Sequence, residues 1–303
     1  MIYTVTFNPS IDCYINIDSL NEGQMNRARE EYTVYAGKGI NVARVLASLG
    51  HECTCLGFVA GSNGAAIEDG LKGICITDFI HLKEGNSRIN VKLSTSDKET
   101  EINAPGPVID KGSYEELKDK LKSLTSSDLV IFSGSVPPGL SENPYEELTC
   151  ILKDSEVPFA LDCTGELFLG ALKNGPMVVK PNVDELAEMF DTVIESNDLD
   201  SVFEYAKKIK DMGAKEVIVS LGKDGALFLD ERGELTLFTA YKGEVVSTVC
   251  AGDSLLAGFI AGKKKGLSSA SALELGVAAG SACAFSRELP SAEAIYKLLG
   301  RQY

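Results

Sequence analysis

Strand-like and helix-like patterns alternate along most of this 303-residue chain, and that alternation leaves few architectures open. Met1–Phe7 reads as a strand. Gly39–Leu49 reads as a helix, with Ile40, Ala43, Leu46, Ala47 and Leu49 at helical spacing and Gly50 as its stop. Strand Thr54–Val59, helix Tyr114–Leu124, strand Asp128–Phe132, helix 143–153, strand 157–161, helix 165–173 and strand 177–180 follow. Helices near 183–190 and 199–212 precede the strand Glu216–Ser220, and helices from about 252, 268 and 291 fill the last third. Strands joined through helices build a mostly parallel sheet covered on both faces, so the expected class is α/β with three layers.

Two stretches interrupt the rhythm. Tyr14-Ile15-Asn16-Ile17 and Tyr32-Thr33-Val34-Tyr35 lie within 13–35, and Ile89–Leu93 and Glu99–Ile102 flank Ser94–Lys98 as a hairpin turn within 88–103. These four strands predict a small antiparallel sheet projecting from the main layers, serving as a lid, a dimer surface, or both. Its unpaired edges favour a homodimer through the lid. The expected organisation is one domain over 1–303 carrying this lid.

Composition narrows the function. Net charge is −15, which argues against nucleic acid as a partner and requires any phosphate site to be built locally. No run approaches the ~18 apolar residues that cross a bilayer, so no membrane partner is expected. The start lacks the basic region of a signal peptide, which points to the cytoplasm. Eight scattered cysteines without a C-x-x-C pair read as buried thiols, and two histidines support neither a His-rich metal site nor a His-dependent triad.

Ligands of open α/β sheets bind beyond the C-terminal ends of strands, and several candidate loops lie there. Asn8-Pro9-Ser10-Ile11-Asp12 follows the first strand, where Asp12 suits sugar hydroxyls or a turn. Gly37-Lys38-Gly39-Ile40-Asn41 opens the first helix, its glycines admitting a ligand close to the backbone. In the lid, Arg88, Asn90 and Lys92 share one face of a strand, to clasp an anion or to meet solvent. Ser133-Gly134-Ser135-Val136-Pro137-Pro138-Gly139 is a rigid loop in which Ser135 can bind phosphate or hydroxyl. Lys180-Pro181-Asn182-Val183-Asp184-Glu185 begins a helix. Asn182 and Glu185 there suit either Mg²⁺ or a capping box. Ser220-Leu221-Gly222-Lys223-Asp224-Gly225 reads as a nucleotide loop or a tight turn. Last comes Cys250-Ala251-Gly252-Asp253-Ser254, where small residues free backbone N–H groups for an anion at a helix start. Asp253 is then a cap or a base.

The absence of G-x-x-x-x-G-K-[ST] lowers the P-loop reading, and the absence of a G-x-G-x-x-G after the first strand removes the dinucleotide-oxidoreductase reading. The seven loops in this order, from Asn8 to the helix around Ser281, resemble the ribokinase-like (PfkB-type) carbohydrate kinases, in particular their phosphosugar branch. Gly37–Arg44, Arg88–Lys92, Thr100–Pro107 and Ser133–Gly139 carry that closer similarity. The resemblance implies a ribokinase-like fold, with ATP and Mg²⁺ as cofactors and a sugar phosphate as partner. It implies that Asp253 is the base, that Ala251, Gly252 and the Asp253 backbone form the anion hole, and that Cys250 belongs to the same catalytic turn. It assigns Asp12, Gly39 and Asn41 to the sugar, and Lys38, Arg88, Asn90 and Ser135 to the phosphate the sugar already carries. Lys180, Asn182, Ser220, Gly222, Lys223, Asp224, Gly225 and Gly252 would meet ATP, with Asn182 and Glu185 organising Mg²⁺ through water. The implied reaction transfers the γ-phosphoryl of ATP to the 6-hydroxyl of fructose 1-phosphate. Tagatose 6-phosphate and fructose 6-phosphate are rival acceptors, and a non-catalytic sugar-phosphate sensor is the rival of another class. An ordinary Asp, near ~3.9, is a weak base, so proton transfer is expected late. The chain departs from the family pattern at Cys250, usually Gly, and at Ala36, where a Gly-Gly pair is common.

Overall fold

Leu129, Val130, Ile131 and Phe132 are all buried, yet alternate residues join opposite cores: Val130 and Phe132 pack on one face of the sheet, Leu129 and Ile131 on the other. Side chains alternate across a strand, so a continuously apolar run demands helices on both faces. The computed structural model supplies them and describes residues 1–137, 139–140, 143–195 and 198–302. Pro138 of the Ser133–Gly139 loop lies outside the described residues.

The first third runs β1 (Ile2–Thr6), β2 (Ser10–Asn16), β3 (Glu30–Ala36), α1 (Lys38–Ser48), β4 (Cys53–Ala60), α2 (Gly61–Leu71), β5 (Ile76–Thr77), β6 (Ile80–Leu82), β7 (Arg88–Ser94) and β8 (Glu99–Ile102). The middle holds α3 (Lys111–Lys122), β9 (Leu129–Ser133), α4 (Pro144–Asp154), β10 (Phe159–Asp162), α5 (Gly165–Leu172), β11 (Val178–Val179), α6 (Val183–Met189) and α7 (Leu199–Asp211). The remainder comprises β12 (Glu216–Ser220), β13 (Ala226–Leu229), β14 (Leu235–Phe238), α8 (Ala251–Lys264), α9 (Ser269–Ala284) and α10 (Ala292–Leu299). The expected elements are present within a few residues. Gly50, at φ 86°, ends α1, with its N–H and that of His51 bonded back to Ala47 and Leu46. The sequence reading omitted the largely exposed edge strand β14, as well as α2, β5 and β6. The helix buries only Gly64, Ile67 and Leu71, a stripe too narrow to stand out, and β5 and β6 are two and three residues long.

The main sheet runs β14-β13-β12-β11-β10-β9-β1-β4-β5, with β6 beside β4. It is parallel except where β13 and β14 finish it with antiparallel pairings. From β1 the order goes one way to β4 and the other way to β9, so the strand order reverses at β1. The loops after the parallel strands therefore converge around a crevice at that edge.

The second sheet, β3-β2-β7-β8, is the lid. Its two outer pairings are antiparallel, as expected, and β7–β8 turns through Thr95–Lys98. The central β2–β7 pairing is parallel. Both strands set out in the same direction from the end of the main sheet, so they lie alongside each other rather than head to tail.

One core face is closed by α8 against α9 along a seam of small residues. A Cβ on Gly276 would lie 2.7 Å from the Leu255 carbonyl oxygen, and one on Gly258 2.8 Å from Gly276 Cα. These are backbone contacts that cannot yield by turning a side chain. Gly276→Ala is expected to lower stability by about 1–3 kcal/mol through overpacking. A urea unfolding midpoint indistinguishable from that of the unaltered chain would contradict the rigid seam.

Candidate active site

α8 begins without a side-chain cap. Its N-cap residue is Cys250, in the left-handed region at φ 63°, ψ 1°. Asp253 is three residues further in, and its carboxylate does not cap the helix. It accepts a hydrogen bond from Asn41 Nδ2 at 2.8 Å. That removes the capping alternative, and the N–H groups of Gly252 and Asp253 are left without intrahelical acceptors. The start of α1 is likewise uncapped, with no acidic residue in its first turn. Two helix N-termini therefore open onto one crevice, each with partial positive charge.

Around Asp253 is a buried charge cluster. Lys180, just beyond β11, places Nζ 3.1 Å from Asp162 Oδ1 at the end of β10, and both side chains are about 95% or more buried. Lys38 Nζ is 3.6 Å from the same oxygen and 3.7 Å from Glu185 Oε1. Burial alone would raise the Asp162 pKa, but Lys180 and Lys38 outweigh it and hold the carboxyl below its ordinary value. Asp162 in turn raises Lys38. Asp253 goes the other way: burial, then repulsion from Asp162, push it up to about 6 against the Asn41 hydrogen bond and the two lysines. A carboxylate at this value is a stronger base than the ordinary Asp expected from sequence. Gly252 matters to the same cluster, because a Cβ there would be 3.1 Å from Lys180 Nζ.

All of these groups except Asp162 line a cavity of about 1380 Å³. On its lid wall, Asp12 Oδ1 accepts from Ser10 Oγ at 2.7 Å and from Asn90 Nδ2 at 2.9 Å. Arg88 is anchored by Nε to the Asn8 carbonyl and by Nη1 to the Ala104 carbonyl, at 3.1 and 3.3 Å. Arg88, Lys38 and Ser135 also line an adjoining pocket of about 330 Å³, in which Thr6 Oγ1, Asn8 Oδ1 and Ser133 Oγ are buried without hydrogen-bond partners among the described residues. At the opposite wall, Ser220–Gly225 is both things the sequence allowed: the tight turn from β12 to β13, and part of the cavity lining.

Three expectations need adjustment. Gly39 does not line the cavity, and its glycine is required by packing, since a Cβ would fall 2.4 Å from Thr6 Oγ1. Lys38 reaches beyond the side pocket to Asp162 and Glu185, so its charge serves the Asp253 end as well. Asn182 and Glu185 do form a capping box: Asn182 Oδ1 accepts from Glu185 N at 2.7 Å, and Glu185 Oε2 accepts from Asn182 N at 2.9 Å. Each oxygen keeps a further lone pair, and Glu185 Oε1 lies outside the box. Among the described residues no three His, Cys, Asp or Glu side chains form a metal cage. This donor set fits a Mg²⁺ held largely by water and phosphate oxygens. Asp162 was absent from the sequence-derived site, although an Asp closing a buried parallel strand is the signal that finds it. Of the two departures, Ala36 has an ordinary backbone conformation, whereas Cys250 occupies a left-handed one.

Uncapped helix starts, a buried carboxylate of raised basicity, one buried lysine and one part-exposed lysine meet at one large crevice, an arrangement suited to phosphoryl transfer. The model for the pfkB family of carbohydrate kinases matches residues 5–292, and the chain belongs to that family. It is 40% identical to the 1-phosphofructokinase of Bacillus subtilis (strain 168) over 99% of this chain and 97% of that protein. It is 37% identical to the D-tagatose-1-phosphate kinase of Bacillus licheniformis, covering 95% and 94%. Phosphofructokinase-2 from Escherichia coli, in complex with substrates and products, superposes with a TM-score of 0.90 at 28% identity, covering 99% and 98%.

The Asp253 carboxyl is expected to titrate near pH 6, and ¹³C NMR of the labelled side chain measures it. A midpoint near ~4 would mean that burial and Asp162 do not govern the group.

Proposed function

We propose that this kinase transfers the γ-phosphoryl group of ATP to the 6-hydroxyl of fructose 1-phosphate, giving fructose 1,6-bisphosphate and ADP. The observation that carries the reading is Asp253, buried, raised to about 6 and seated in the first turn of an uncapped helix that faces the cavity. Asp253 accepts the hydroxyl proton as the new P–O bond forms. The Gly252 and Asp253 N–H groups and the α8 dipole stabilise the charge on the equatorial oxygens. Lys180 holds nucleotide phosphate from beneath Gly252, and Ser220–Gly225 lines the nucleotide end of the cavity. Asn182 and Glu185 would hold Mg²⁺ through water, and the ion would neutralise phosphate charge. Arg88, Asn90, Ser135 and Lys38 bind the phosphate already present, Asp12 and Asn41 meet sugar hydroxyls, and the lid excludes water that would otherwise accept the phosphoryl group.

Two relatives named for kinases of ketose 1-phosphates support an acceptor that already carries its phosphate on C1. Tagatose phosphates are the second reading, because tagatose differs from fructose only in configuration at C4. The testing experiment is a coupled ADP-release assay over fructose 1-phosphate, fructose 6-phosphate, tagatose 1-phosphate and tagatose 6-phosphate. Fructose 1-phosphate is expected to give the highest kcat/KM, and an absence of ADP release with all four would leave only a sensor. In the same assay Asp253→Asn is expected to lose at least about 10³-fold in kcat with binding retained. Arg88→Ala is expected chiefly to raise KM for the sugar phosphate, and an unchanged KM would reject its role as clasp.

We also propose that the lid forms a homodimer. Asp12, Asn90 and Lys92 line the cavity, so alternation sends Ile11, Cys13, Ile15, Ile89, Val91 and Leu93 to the opposite face, where Ile102 pairs with Val91. Ile89 and Ile102 are 48% and 61% exposed in the lone chain, an apolar patch of the kind that marks an interface. Sedimentation equilibrium is expected to give about twice the chain mass, and Ile89→Glu combined with Ile102→Glu about one. A wild-type monomer would reject the dimer. The free state of all eight cysteines supports a reducing compartment, the cytoplasm.

A further inference from the structure

The amide of Asn41 serves two acceptors at once. Its Nδ2 is 2.8 Å from Asp253 Oδ2 and 3.2 Å from Cys250 Sγ. Asn41 is buried on α1, and both acceptors belong to the first turn of α8, so the contact ties one helix to the other. An ionised carboxylate only accepts hydrogen bonds, so the amide must turn its NH₂ toward Asp253. The two amide hydrogens are then used, one on each partner, and Oδ1 remains for a substrate hydroxyl. The alternative for Asp253 is visible nearby. Lys38 from α1 and Lys180 from beyond β11 are both close enough to shift its titration, as is Asp162 from β10, and Asp253 in turn raises the thiols of Cys250 and of Cys283 on α9. Freed to rotate about its own χ angles, the carboxylate would turn toward those ammonium groups and away from an incoming hydroxyl.

We infer that Asn41 is a positioning residue: by gripping Asp253 Oδ2 and Cys250 Sγ together it holds the carboxylate facing the acceptor hydroxyl and away from Lys38 and Lys180. This gives the thiol of Cys250 a part as well. It is the second anchor that fixes the amide, and it occupies a left-handed position where a side chain other than glycine's costs strain. The inference rests on Asp253 being the base.

The test compares Asn41→Leu, which keeps shape and removes the donor, and Asn41→Ser, which keeps a shorter donor. Asp253→Asn serves as reference, and thermal melting reports whether each variant is folded. For Asn41→Leu we expect kcat with ATP and fructose 1-phosphate to fall at least about tenfold at pH 6.5. Its acid limb should move up by roughly one pH unit, because a donor to the charged form is lost. The KM for ATP should be unchanged. Asn41→Ser should fall between Asn41→Leu and the unaltered enzyme, and it carries the test if the leucine variant does not fold. A raised KM for the sugar phosphate with an unmoved acid limb in the folded variants would make Asn41 a substrate contact only and overturn the inference, leaving the base intact. Turnover surviving in Asp253→Asn would remove the base, and this inference with it.

Discussion

Two lysines facing three carboxylates at the C-terminal edge of the sheet are the constraint on which the rest of the structure depends. Lys38 and Lys180 are set among Asp162, Glu185 and Asp253, and each Lys–Asp162 pairing draws together the ends of elements far apart in sequence. Buried charges persist only when partnered. The cluster therefore requires that β10, the segment after β11 and the start of α1 meet at one point. Its internal imbalance also explains Asp253. With Asp162 taking the nearer share of both lysines, the remaining buried carboxylate keeps an ordinary hydrogen bond and repulsion, and so retains affinity for a proton.

The sheet topology delivers these groups. Strand order reverses at β1, and the loops that follow β1, β9, β10, β11 and β12 all open on the same side. Helices α1 and α8 then contribute their N-termini rather than their flanks. Backbone N–H groups, which any sequence possesses, are thereby left open at the crevice of a chain whose net charge is −15. The few cations can be spent on orientation.

Most of the layered fold was legible because it rests on periodicity, and strands such as Leu129–Ser133 are apolar on both faces. What was not legible depended on contacts between distant residues. The parallel β2–β7 pairing follows from where two strands leave the main sheet, which neither strand encodes. Gly39 looked like a ligand glycine, whereas the constraint on it is Thr6, thirty-three residues earlier. Asn182 and Glu185 satisfied the capping reading and the ligand reading together, because a capping box uses only part of each oxygen's capacity. Asp253 had two local readings, and only Asn41, 212 residues away in sequence, separates them. Cys250 signalled a departure in sequence, but its left-handed backbone belongs to the folded turn.

The glycine seam between α8 and α9 has an evolutionary consequence. Gly258 and Gly276 bring two backbones into contact, so neither helix can shift to accommodate a new neighbour. The transfer end is mechanically frozen, and a lineage that changes its sugar has little to gain by altering it. The lid is held instead by strand edges, by Arg88 on two backbone carbonyls and by a partly exposed Lys92–Glu101 pair. Drift in substrate choice within this architecture should therefore be written in the segments 8–16 and 88–107, while the machinery that moves the phosphoryl group stays as it was inherited.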